Sequence, residues 1–110
     1  MSVNLVVLSG RLGKRPEIKA TSSGKSVVSV GLAVDEGFGE RRKGVFWQIE
    51  AWEKNAEALA KFGDKGFRLT VTGRLAQDEY EKDGAKVVRT KIIANQIDFI
   101  DFPAKEQEAF

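Results

Sequence analysis

The sequence predicts an all-β domain with one short helix, closed as a five-stranded Greek-key barrel with long protruding hairpins. Three observations lead there. Most of the chain falls into runs that alternate apolar and polar residues, the two-residue period of a strand. One stretch, EKNAEALAKF, breaks that period and is rich in good helix formers. Glycines interrupt the strand-like runs where bends and hairpin tips are needed. At 110 residues the chain has the length of one domain with a single modest core. A small β-sandwich and an SH3-like barrel compete on pattern alone; the lone helix after the third major strand favours the Greek-key barrel.

Each element has its own justification. Residues 3–12 place Val6, Leu8 and Leu12 on one parity and Leu5 and Val7 on the other. A strand apolar on both faces has a second surface to cover, within the domain or in another subunit. Residues 26–34 put Val28, Val30, Leu32 and Val34 inward, with Ser29, Gly31 and Ala33 opposite, small enough for close backbone approach. Asp35 to Gly44 is glycine-spaced and charged, a protruding loop. From Val45 to Glu53 the inward set is Val45, Trp47, Ile49 and Ala51, so Phe46, Gln48, Glu50 and Trp52 share the other face.

The helix is predicted over Glu53 to Phe62, with Ala56, Leu59, Ala60 and Phe62 as its apolar stripe and Gly63 as its stop. After a turn at Asp64 to Gly66, a strand from Phe67 to Leu75 turns Phe67, Leu69, Val71 and Leu75 inward and Arg68, Thr70, Thr72 and Arg74 outward. Gly73 falls on the inward parity, where a bend is expected. A polar arm, Gln77 to Lys82, reaches a hairpin tip at Asp83-Gly84, and a long strand runs from Lys86 to about Ile100. This order belongs to the OB type of barrel. The expected domain covers residues 1–101, and residues 102–110 form a short polar tail interrupted by Pro103.

Composition narrows the chemistry. Cysteine and histidine are absent, which excludes disulfides, thiol nucleophiles, zinc sites built on Cys or His, and imidazole catalysis. The acids Asp78, Glu79, Glu81 and Asp83 are the candidate magnesium cluster, but strand alternation separates neighbours and a solvated arm accounts for them. No enzymatic activity, metal or cofactor is expected. No run is long enough to span a bilayer, and Met1 to Asn4 lack the charged start of a leader, which points to the cytoplasm. Net charge is only +2, yet residues 1–43 carry eight Lys/Arg against four acids, hence +4, leaving −2 for the remainder. A basic half of this kind suits a polyanionic partner.

Four aromatics stand in polar or cationic surroundings: Phe38, Phe46, Trp52 and Tyr80. Rings interleaved with Gln, Thr and Arg make poor core and a good docking surface for unpaired bases. Candidate phosphate contacts are Arg68 and Arg74 on one strand face, Arg41, Arg42 and Lys43 in the loop, and Arg11. The bland readings are that Phe46 and Trp52 are core or subunit-interface rings, that Phe38 packs within its own loop, and that Arg41 to Lys43 is a solvated charge run. Trp47 is assigned to core or interface.

The chain also resembles a known family. NLVVLSGRLGKRPE, Asn4 to Glu17, is similar to the opening of bacterial single-stranded DNA-binding proteins, with Gly10, Leu12-Gly13 and Pro16-Glu17 in place. In order follow Gly24, a small-residue strand ending Gly31-Leu32-Ala33-Val34, the aromatic strand and helix FWQIEAWEKNAEAL, FGDKGFRLTVTGRL, and the closing VVRTKIIANQIDFID. The resemblance covers roughly residues 3–101. It implies an OB fold, assembled as a homotetramer, that coats single-stranded DNA without sequence preference in replication, recombination and repair. It further implies base stacking at Phe38, Phe46, Trp52 and Tyr80. Members commonly end in a glycine-, proline- and glutamine-rich linker with an acidic tip that recruits replication and repair proteins. Here Glu106, Glu108 and Phe110 are a sparse counterpart, and a primosome-type accessory protein acting through protein partners is the alternative within the family.

Overall fold

The structure, a computed structural model, describes residues 2–102. The tail predicted over residues 102–110 therefore lies, apart from Phe102, outside the described residues. Six strands and one helix follow in order: β1 (Val6–Leu12), β2 (Lys19–Ala20), β3 (Ser26–Glu36), β4 (Lys43–Trp52), α1 (Lys54–Phe62), β5 (Arg68–Lys82) and β6 (Ala85–Phe99). Five of them close a ring in the order β1-β5-β6-β4-β3, with β3 returning to β1, and the two-residue β2 adds to the outer side of β3. This is the predicted OB barrel. All pairings are antiparallel except β4 with β6, which run parallel through Ile49↔Ile92 and Glu50↔Ile93.

Alternation decides what is inside. Val28, Val30, Leu32, Ile49, Ala51, Leu69, Val71 and Ile92 are essentially inaccessible, and Val6, Leu8, Val34 and Trp47 pack around them. Each fully buried Val, Leu or Ile among them contributes roughly 1.5–3 kcal/mol relative to exposure. Leu12 closes the core at the end of β1, where Arg11↔Ala33 and Leu12↔Leu32 seal the barrel. Gly10 permits that closure, because a Cβ there would overlap the Ala33 carbonyl. Gly73 is the expected bend. The ladder slips between Thr72↔Gln96 and Gly73↔Ala94, leaving Asn95 unpaired as a bulge, and no side chain fits at Gly73 against the Ile93 carbonyl.

The helix plugs one end through Ala56 and Leu59, and Asn55 Nδ2 donates to the Ala94 and Asn95 carbonyls at 3.3 and 3.2 Å, satisfying the bulge. Glu53 lies outside the helix at φ 53°, because the chain must reverse as it leaves β4, so the helix starts at Lys54 rather than Glu53. Gly63 ends it in extended backbone (φ −82°), not left-handed. Its missing side chain is required by the Leu59 carbonyl, Leu12 and Pro16, which crowd the position. Among the described residues, no helix is long and apolar enough to cross a membrane.

The predicted loop Asp35 to Gly44 is shorter than expected, since β3 runs to Glu36 and β4 starts at Lys43, and the long hairpin departs from expectation in two ways. The strand and polar arm predicted separately are one fifteen-residue strand, β5, paired with β6 to the tip. Leu75, expected inward, is 44 % exposed, because by that point the β5–β6 ladder has begun to leave the barrel. The tip itself is as read: Asp83 (φ 53°) and Gly84 (φ 80°) form a two-residue turn with successive positive φ values.

Candidate functional site

The outward residues of β3, β4, β5 and β6 form one continuous surface. Pairing of β3 with β4 sets Ser29 beside Glu50, Gly31 beside Gln48 and Ala33 beside Phe46. Gln48 Nε2 donates to Ser29 Oγ, stiffening this floor. Phe46 rests on glycine backbone: a Cβ on Gly13 would stand 2.8 Å from its Cε1, and one on Gly31 would stand 3.3 Å from its Cδ1. The underside of the ring is thus supported while 66 % of the residue faces solvent. Trp52, six residues further along the same face, is half-buried, opposite Val27. At about 3.4 Å per residue the two rings are about 20 Å apart.

Glu50 lies between them and is bonded twice. Its Oε1 accepts from the Trp52 indole N–H at 2.6 Å, and its Oε2 is 2.6 Å from Lys91 Nζ on β6. Lys91 also reaches Asp78 at 3.0 Å. Hydrogen bonding to Glu50 is the main reason the Lys91 ammonium holds its proton above the ordinary lysine range, despite partial desolvation. On the arm, Tyr80 pairs with Val87 and shares its face with Asp78. Tyr80 is 40 % exposed, with the Arg89 guanidinium 5.8 Å from its ring centroid and 3.3 Å from its hydroxyl. Two acids beside it are paired, Asp78 with Lys91 and Glu79 with Lys86 at 3.3 Å. Among the described residues no three acids converge as a metal site would require.

At the far end of β3 and β4, residues 37–42 make a tight connection containing one 3₁₀ turn, Gly39–Arg41. Gly37 (φ 85°) and Gly39 (φ 57°) flank Phe38, whose ring is 93 % exposed. Arg41, Arg42 and Lys43 are exposed beside it.

The remaining predicted cations divide. Arg74 is exposed, in the row Arg74↔Ile93↔Glu50↔Ser29, and no ion pair to it is present among the described residues. Arg11 and Arg68 lie in another row, Arg68↔Arg11↔Ala33↔Phe46, so Arg11 is two strands, about 10 Å, from Phe46. Arg11 donates to the Gly66 carbonyl at 3.1 Å. Arg68 is committed to Asp101, donating at 3.1 Å from Nε and 2.9 Å from Nη2, with its backbone N–H adding a third bond at 2.8 Å. These bonds pull the Asp101 carboxyl down to about 2. A cleft of about 340 Å³ opens between these arginines, Asp35 and Ile100.

Comparison with known proteins settles the lineage. The sequence profile of the single-strand binding protein family matches residues 3–100. The chain belongs to that family. It is 35 % identical over 108 residues to a single-stranded DNA-binding protein of Clostridium tetani, covering 94 % of this chain and 74 % of that one. To single-stranded DNA-binding protein B of Bacillus subtilis it is 36 % identical over 114 residues, covering 96 % and 97 %. A solved structure titled Plasmodium falciparum SSB complex with ssDNA superposes with TM-score 0.83 at 27 % identity, over 92 % of this chain and 97 % of that one.

Within this member of the single-strand binding protein family, the fold brings Phe46, Trp52, Tyr80 and Arg74 onto one surface and places Phe38 with Arg41, Arg42 and Lys43 at its edge. It sets Arg68 and Arg11 around the barrel wall, away from the arm. Sequence reasoning missed the Glu50–Lys91–Asp78 cluster and the seat of Arg89 over Tyr80. The second was within reach. A two-residue turn at Asp83-Gly84 forces Tyr80 opposite Val87 and Asp78 opposite Arg89, one diagonal step from the tyrosine.

Proposed function

We propose that this chain binds single-stranded DNA without sequence preference, protecting it during replication, recombination and repair. The observation that carries the reading is the outward β3–β4–β6–β5 surface. It leaves Phe46 two-thirds exposed over a glycine floor and continues to Trp52 and Tyr80. Bases stack on Phe38, Phe46, Trp52 and Tyr80, each stack contributing roughly 1–3 kcal/mol and accepting any base, since every base has a π-face. Arg74, Arg41, Arg42, Lys43 and Arg11 meet phosphates and release condensed counterions. Arg68 joins them only by giving up Asp101.

Residues 1–101 act as the DNA-binding unit. Leu5, just before β1, and Val7 on its outer face, 66 % and 58 % exposed, are the surface for a second copy, and the assembly is a homotetramer. The protein works in the cytoplasm on nucleoid DNA and carries out no catalysis.

Titration of intrinsic tryptophan fluorescence with poly(dT) at low salt tests this. Strong quenching that reverses on adding salt is expected. Absence of quenching at low salt would overturn the reading.

A further inference from the structure

We infer that Glu50 is a positioning residue for the DNA-binding surface: one carboxylate fixes the ring of Trp52 and, through Lys91, ties the β5–β6 arm that carries Tyr80 to the barrel. The inference rests on the single-stranded DNA reading above and names a group that reading does not use.

The geometry is specific. A carboxylate is acceptor-only, and here its two oxygens serve two elements: Oε1 takes the indole N–H of Trp52 along β4, and Oε2 takes Lys91 across the sheet on β6, each at 2.6 Å. The Glu50 and Lys91 side chains are each only 15 % exposed, so the pair is shielded from the solvent that weakens surface ion pairs. The indole N–H is the only polar group of tryptophan, so this bond sets which way the ring turns. Lys91 passes the restraint to Asp78 at 3.0 Å, two residues from Tyr80 on the same face of the arm. A ring held in one orientation before ligand arrives loses less freedom on binding.

A carboxylate on a surface for a polyanion needs a reason to be there. Glu50 and Asp78 set two carboxylates on the platform, offset by Lys91 and by Arg89 opposite Asp78. Removing Glu50 therefore does two opposite things: it loosens Trp52, weakening stacking, and it frees Lys91 charge, strengthening phosphate attraction. The dependence of log K on log salt separates them. The intercept at 1 M salt reports stacking, and the slope reports phosphate contacts, about 0.7 per contact for single strands.

The test compares wild type, Glu50→Ala and Glu50→Gln by poly(dT) titration across salt, and by hydrogen exchange of the Trp52 indole N–H, assigned through Trp52→Phe. In Glu50→Ala the indole loses its protection, the intercept falls roughly three- to tenfold, a fraction of one stack, and the slope rises by up to about 0.7. Glu50→Gln keeps an amide oxygen for the indole, so protection and intercept stay within about twofold of wild type while the slope still rises. Wild-type protection or a wild-type intercept in Glu50→Ala overturns the inference. Failure of the wild type itself to bind poly(dT) overturns the DNA reading instead, and indole exchange in the free proteins still decides whether Glu50 holds the ring.

Discussion

Removing the Phe46 ring separates a binding role from a packing role, because the structure assigns different magnitudes to each. The residue is 66 % exposed. About a third of a side chain of roughly 200 Å², some 70 Å², is therefore covered in the free protein. At about 25 cal/mol per Å² the covered part contributes about 1.7 kcal/mol, an upper bound since the unfolded chain already hides some of it. Phe46→Ala leaves no internal cavity, because the ring lies on the outside of the barrel over Gly13 and Gly31. A lost base stack is different in kind: roughly 1–3 kcal/mol, a rise in Kd of about 5- to 150-fold.

The assay is poly(dT) titration of tryptophan fluorescence at several salt concentrations, alongside urea unfolding of the free protein. Both tryptophans remain in Phe46→Ala, so the signal survives. Affinity falls by the stacking factor at every salt concentration, and the slope of log K against log salt stays at its wild-type value because no charge has been removed. A Kd within twofold of wild type, together with a lowered urea midpoint, refutes the reasoning and makes Phe46 a packing or interface ring.

Three further outcomes are expected. Gly13→Ala sets a methyl 2.8 Å from Phe46 Cε1; the ring is displaced by a few tenths of an ångström, and poly(dT) affinity drops severalfold, less than in Phe46→Ala, with an unchanged far-UV spectrum. Replacing Arg41, Arg42 and Lys43 together by Gln lowers the salt slope by about 2 when all three meet phosphates; an unchanged slope makes them a solvated run. The Asp101 carboxyl, held at about 2 by Arg68, titrates by NMR well below the ordinary 3.8. Because the folded value is depressed, the stabilisation is complete above about 3.8 and is lost as pH falls through about 2, with no change at neutral pH. A midpoint at or above 3.8 shows that the Arg68 bridge does not persist in solution.

Much of the barrel was legible because one face of each strand is dry. Ile49 and Ala51 against Phe46 and Gln48 is a pattern that admits one register, since slipping by a residue would bury Gln48 and Glu50. Asp83-Gly84 announced its turn for a similar reason: few residues accept two successive positive φ values. Leu75 was misplaced because alternation tells which side a residue faces and nothing about where a long ladder leaves the core. The Glu50–Lys91–Asp78 cluster was out of reach because it depends on the parallel β4–β6 register, a pairing between strands far apart in sequence with no connecting turn to fix it. Arg68 looked like a free cation because its partner, Asp101, follows the last strand, where period-based reading ends.

The arrangement of charge argues for a particular path of the strand. Were affinity mainly electrostatic, the middle of the platform would be its most basic part. Instead Lys91 is spent on Glu50 and Asp78, and Arg89 sits against Tyr80. Of the predicted phosphate contacts, Arg74 lies at one side and Arg41, Arg42 and Lys43 at the far end of β3 and β4, none with an ion pair among the described residues. A phosphate crossing the middle meets the carboxylates of Glu50 and Asp78, whose charge Lys91 and Arg89 offset, while one following the edge meets cations with no such partner. Bases carry no such penalty, and under the proposed function they stack on Phe46, Trp52 and Tyr80. Under that proposal, the bases-in, phosphates-out orientation owes as much to the placement of Glu50 and Asp78 as to the rings.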